Sequence, residues 1–132
     1  MTDSVIAKKS FLFAVRVTNL YKYLLKKGER VLSRQVLRSG TSIGANANEA
    51  ISAQSNKDFI AKLSVSLKEA RETLYWPKLL KLTDFLTEQS SKTIIDECDE
   101  IIAILVSILK TSKKNAAAKK LTHNSELVTL NS

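Results

Sequence analysis

Only three glycines and one proline punctuate 132 residues. A sandwich or barrel needs a tight turn every few strands, and so few chain-breaking residues cannot supply them. Leucine and lysine lead the composition, and both are good helix formers. The chain therefore reads as all-α. Its length suits one domain, large enough to bury about two-thirds of its unfolded surface.

Apolar residues recur with helical period in four segments. The first runs from about Ser4 to Lys27, where Phe13, Val17, Leu20 and Leu24 form a stripe that Leu12, Val15 and Leu25 should widen. Lys26 and Lys27 suit the negative end of the helix dipole, and Gly28 suits the left-handed residue that follows it. The second runs from about Arg30 to Ala53. Ser55 to Asp58 has the pattern of a capping box and opens the third, in which Ile60, Leu63, Leu67, Ala70 and Leu74 keep a three-four rhythm to Leu82. Pro77 should kink this helix rather than stop it, because Leu79, Leu80 and Leu82 continue the apolar face.

A polar loop is expected over Glu88–Ser91, then a fourth helix on Ile94, Cys98, Ile101, Leu105 and Ile108. Residues 113–132 lose the periodicity and hold four lysines, so this tail should fray and be flexible. Short connections between amphipathic helices predict an antiparallel up-down-up-down four-helix bundle over residues 1–112.

The formal charge is +8, unevenly spread. Residues 84–112 carry a net −4, leaving +12 elsewhere, much of it on the first helix. Such a two-signed chain could set its acidic fourth helix against basic surface on another copy and leave other basic surface for a polyanion. Lys8, Lys9, Arg16 and Lys22 are the candidate phosphate contacts, with Lys9 and Arg16 one heptad apart on one face. No helix-turn-helix, RNP motif or Gly-rich loop is present, so base-specific readout is not expected.

Catalytic and metal readings fare poorly. One cysteine and one histidine, His123 in the tail, leave no Cys–His dyad, Cys-rich zinc site or disulfide framework. Glu49, Glu69 and Glu72 lack the Glu-x-x-His motifs of di-iron bundles, so no metal and no cofactor are expected. Cys98 stands among isoleucines as a small core residue. No nucleophile, base and orienting group can be assembled, and the protein reads as no enzyme. The most apolar stretch, Ile101–Leu109, is about half a membrane crossing. A cytoplasmic protein without membrane association is expected.

The second segment is unusual. Ser39, Ser42, Asn46 and Glu49 share one polar helix face, beside a nearly bare face of Gly40, Gly44 and Ala47. Each helical glycine costs about 1 kcal/mol relative to alanine, and close approach of a neighbouring helix is the ordinary compensation. The hydroxyls and the Asn46 amide could then bond across the contact. On the third segment Glu69, Glu72 and Trp76 share a face, where Arg38 or Asn46 could pair with either acid and fix register.

These residues carry a family resemblance. Arg38-Ser39-Gly40, Ser42-Ile43-Gly44, Asn46, Glu49-Ala50, Ser55, Asp58-Phe59, Lys68-Glu69-Ala70, Glu72 and Trp76, with Lys9-Ser10-Phe11 and Phe13-Ala14-Val15 upstream, resemble the 23S rRNA intervening-sequence (four helix bundle) protein family over residues 8–112. Pro77 and Ala47-Asn48 depart from its pattern. The resemblance implies a noncatalytic bundle assembled as a homopentamer. It also extends distantly to the basic, nucleic-acid-associated accessory protein of diversity-generating retroelements. Two functions follow as expectations: a nucleic-acid-binding oligomer of low sequence specificity, or a scaffold for a partner protein.

Overall fold

The computed structural model describes residues 2–131 and the side-chain surroundings of residues 5–126. It contains four helices, α1 (Thr2–Lys26), α2 (Leu32–Ile51), α3 (Asn56–Leu82) and α4 (Glu88–Asn131), and no strand among the described residues. Each helix packs on the next, and α4 returns to close the ring on α1 through the smallest of the four contacts. This is the antiparallel up-down-up-down bundle that the periodicity predicts.

The predicted stripes make the core. Phe13, Val17, Leu20 and Leu24 of α1 are buried against Val36 and Ile43 of α2, Leu63, Ala70 and Leu80 of α3, and the Ile94–Cys98–Ile101–Leu105–Ile108 ladder of α4. Three apolar residues expected inside are outside. Leu12, Val15 and Leu82 lie on outer surfaces, Leu82 at 80% exposure. A helix buries only the arc facing its neighbours, and hydrophobicity alone does not say where that arc ends.

The turns are set by local chemistry. Gly28, at φ 81°, ends α1, with the Glu29 amide donating to the Leu24 carbonyl at 2.9 Å. Asp84 ends α3 in the same left-handed conformation, φ 67°, and the Phe85 amide reaches the Leu80 carbonyl at 2.9 Å. Both are six-to-one bonds of the Schellman type. The Ser55 hydroxyl caps α3 by accepting from the Asp58 amide at 3.0 Å.

Helix α4 begins earlier than the sequence suggests. Glu88–Ser91 is its first turn, not a loop, because Thr87 Oγ1 accepts from the Ser90 amide at 3.1 Å and supplies the cap. The helix also continues through the lysine-rich tail to Asn131. The alanines, lysines and leucine of residues 116–121 favour helix locally even without a packing partner. Pro77 is buried inside an uninterrupted α3, and its carbonyl accepts the Ser91 hydroxyl of α4 at 3.1 Å.

Candidate nucleic-acid interface

The motif on α2 forms the tight side of the bundle. A Cβ placed on Gly40 would lie 2.8 Å from both Val17 methyls, and one on Gly44 would lie 3.2 Å from the Ser10 carbonyl oxygen. Both glycines therefore face α1, and the lost helix propensity is offset by close approach, as the sequence pattern predicts. The polar residues beside them behave otherwise than expected. Ser39 donates to the Gln35 carbonyl at 3.0 Å, Ser42 to the Arg38 carbonyl at 2.6 Å, and the Asn46 amide to the Ser42 carbonyl at 2.8 Å. All three bonds stay within α2. A hydroxyl that returns to its own helix four residues back needs no partner across the seam, and its small size is what the seam uses.

The hydroxyl and thiol bonds that cross between helices are donated from α3 and α4 instead. Ser66 of α3 donates to the Ile43 carbonyl of α2 at 2.7 Å, and the Cys98 thiol of α4 donates to the Ala70 carbonyl of α3 at 3.2 Å. Burial, helped by the neighbouring Asp99 charge, pushes the Cys98 thiol up to about 12, so it stays protonated and inert.

Arg38 makes the predicted pairing. Its guanidinium reaches Glu69 at 3.2 Å and also contacts Glu72, whose carboxylate accepts the Trp76 indole N–H at 3.2 Å. This chain of four side chains ties α2 to α3. Arg38 is half-exposed and Glu72 partly exposed, while Glu69 is mostly covered, so the network sets register with modest net stabilisation. Glu49 lies elsewhere and pairs with Lys62 at 2.9 Å.

The four phosphate-contact candidates separate into two pairs. Lys9 and Arg16 do share one face of α1, but that face meets α4: Lys9 pairs with Glu100, and Arg16 Nε lies 2.6 Å from Glu97. The acidic surface of α4 thus meets basic surface of its own chain. Lys8 and Lys22 are exposed, and no ion pair engages them among the described residues. Between these lysines the outer surface of α1 presents Phe11, Leu12 and Val15 at 68%, 56% and 44% exposure.

Sequence reasoning missed Glu29. Its buried carboxylate accepts the amides of Val31, Leu32 and Ser33 at 3.0, 2.9 and 2.6 Å and starts α2 two residues later than periodicity suggests. Burial opposes its ionisation, but the amide bonds outweigh burial and hold its pKa below the usual carboxylate value. The signal in the sequence is an acid just ahead of a helix. Among the described residues no group of His, Cys, Asp and Glu is placed to hold a metal ion, and no helix is long and apolar enough to cross a membrane.

Fold and motif together define a basic four-helix-bundle protein with a glycine-serine seam between its first two helices. The chain belongs to the 23S rRNA-intervening sequence protein family, which it matches over residues 2–107. It is similar to a Bacteroides thetaiotaomicron protein of unknown function from the S23 ribosomal protein family, known from a crystal structure. The two are 51% identical with a TM-score of 0.82, over 83% of this chain and 99% of the other. No curated protein matches it.

Proposed function

We propose that this protein is a noncatalytic, cytoplasmic homo-oligomer, a pentamer, that binds RNA or DNA through basic surface without strong sequence specificity. The observation that carries the reading is the division of the exposed surface. Phe11, Leu12 and Val15 form an uncovered apolar strip on α1, while a net charge of +8 remains after α4 neutralises Lys9 and Arg16. An apolar strip of this kind suits contact between copies, and the remaining cations suit a phosphate backbone. Family membership is compatible with the same reading.

Light scattering combined with the 260/280 absorbance ratio tests both halves. The expected result is a mass several times 14.7 kDa with nucleic acid co-purifying at low salt. A monomeric mass at tens of micromolar would remove the oligomer. Absence of nucleic-acid binding at low salt would remove the other half and favour a protein-interaction scaffold, whose contacts should survive high salt.

A further inference from the structure

Helix α4 outruns the helix it packs on. At 44 residues it is about 66 Å long, against about 40 Å for the 27 residues of α3. Its buried stripe of Ile101, Leu105 and Ile108 continues at the same helical spacing as Ser112, Ala116, Lys119 and His123. Where α3 begins, the character of the stripe therefore changes from apolar to basic.

An open groove of about 520 Å³ lies at this change. Its lining is almost entirely carbon, from Ile60 of α3, Ala116 of α4 and the stems of Lys57, Lys119 and Lys120, exposed residues whose charged ends belong to its rim. No ion pair holds any of the three lysines among the described residues, as none holds Lys8 or Lys22. The nearby acid Asp58 lines a different hollow, with Glu49 and Lys62. Lys57 also places a positive charge in the first turn of α3, where the helix dipole is already positive. An anion in the groove would relieve both.

We infer that this groove between the start of α3 and the extension of α4 is the seat of a single nucleic-acid strand. Phosphates meet Lys57, Lys119 and Lys120, while sugar and unpaired base faces lie on Ile60 and Ala116. A strand fits better than a duplex because its bases are free to cover apolar surface, whereas a duplex offers the groove only its sugar-phosphate exterior. The inference rests on the nucleic-acid reading above and gives it a location. The α4 residues of the groove lie beyond the stretch that matches the family, residues 2–107.

Fluorescence anisotropy with a labelled single-stranded RNA oligonucleotide of mixed sequence tests it on the full chain. Three proteins are compared: the parent, the groove variant Lys57→Gln/Lys119→Gln/Lys120→Gln, and the α1 variant Lys8→Gln/Lys22→Gln. The groove variant should bind about tenfold or more weakly at low salt, and its slope of log K against log salt should flatten by about 2, since each single-strand phosphate contributes about 0.7. Lys119→Arg/Lys120→Arg should keep parental affinity, and melting temperatures should be unchanged throughout. Parental affinity in the groove variant together with loss in the α1 variant would overturn the groove and leave the nucleic-acid reading standing. A parent that fails to bind would remove both. Tighter binding of duplex RNA, or displacement by polyglutamate at equal charge, would overturn the single-strand assignment.

Discussion

The carbonyl oxygen of Ser10 lies 3.2 Å from the point where a side chain on Gly44 would begin. That oxygen belongs to helix backbone, so it cannot swing aside as a side-chain tip would. Gly44→Leu must therefore push α1 and α2 apart, and it should cost about 1–3 kcal/mol or more in urea unfolding. The neighbouring Ala45 is exposed, and Ala45→Leu should be within about 0.5 kcal/mol of the parent. Equal stability of the two variants would remove the seam as the reason for the glycine.

Glu29 should make stability depend on pH in a defined direction. Its pKa in the folded protein lies below the ordinary 4.5. The stabilisation is therefore present in full above that value and is lost as pH falls through the folded pKa. Glu29→Ala leaves three helix-start amides without their acceptor and should cost about 1–3 kcal/mol at pH 7. Urea titrations at pH 7 and pH 3 should show the gap between parent and Glu29→Ala narrowing in acid. A gap that widens in acid would contradict the capping role.

Arg16 and Glu97 should be coupled, but weakly. Both are partly exposed, so a double-mutant cycle with Arg16→Ala and Glu97→Ala should give about 0.2–1 kcal/mol, shrinking in high salt. The reversal Arg16→Glu sets like charges against each other and should destabilise by more than Arg16→Ala does. No coupling at low salt would show that the contact between α1 and α4 lies elsewhere.

Cys98 should be silent until the protein unfolds. It is fully buried, donates to the Ala70 carbonyl and has its thiol pushed up to about 12. At pH 8 a disulfide reagent should label it only at the rate of global opening, and completely in denaturant. Rapid labelling of the native protein would mean that α4 separates readily from α3.

Much of the fold was legible in the chain because the decisive information was periodic or local. The ladder from Ile94 to Ile108 named the inner face of α4, and Gly28 and Ser55 marked helix ends through backbone rules that need no neighbour. The bare face of Gly40 and Gly44 announced a close approach without naming the helix that makes it. Other features needed the neighbour. Leu12, Val15 and Leu82 read as edges of the apolar stripes, yet the arcs that hold them face outward. Ser39, Ser42 and Asn46 offered bonds that could run across the seam or back along α2, and geometry chose the latter.

For the candidate interface the division was sharper. Sequence spacing put Lys9 and Arg16 on one face, as they are, but charge alone does not reveal what a face meets. Ring closure brings that face onto Glu97 and Glu100, which removes two cations from the free surface. The groove at Lys57 and Lys119 joins residues far apart in the chain, so no local pattern announces it. By itself the sequence determined the helices, most of their ends and most of their inner faces, because these follow from interactions within a few residues. Tertiary structure alone decided which charges are spent and which remain available, because pairing at long range depends on which helices lie side by side.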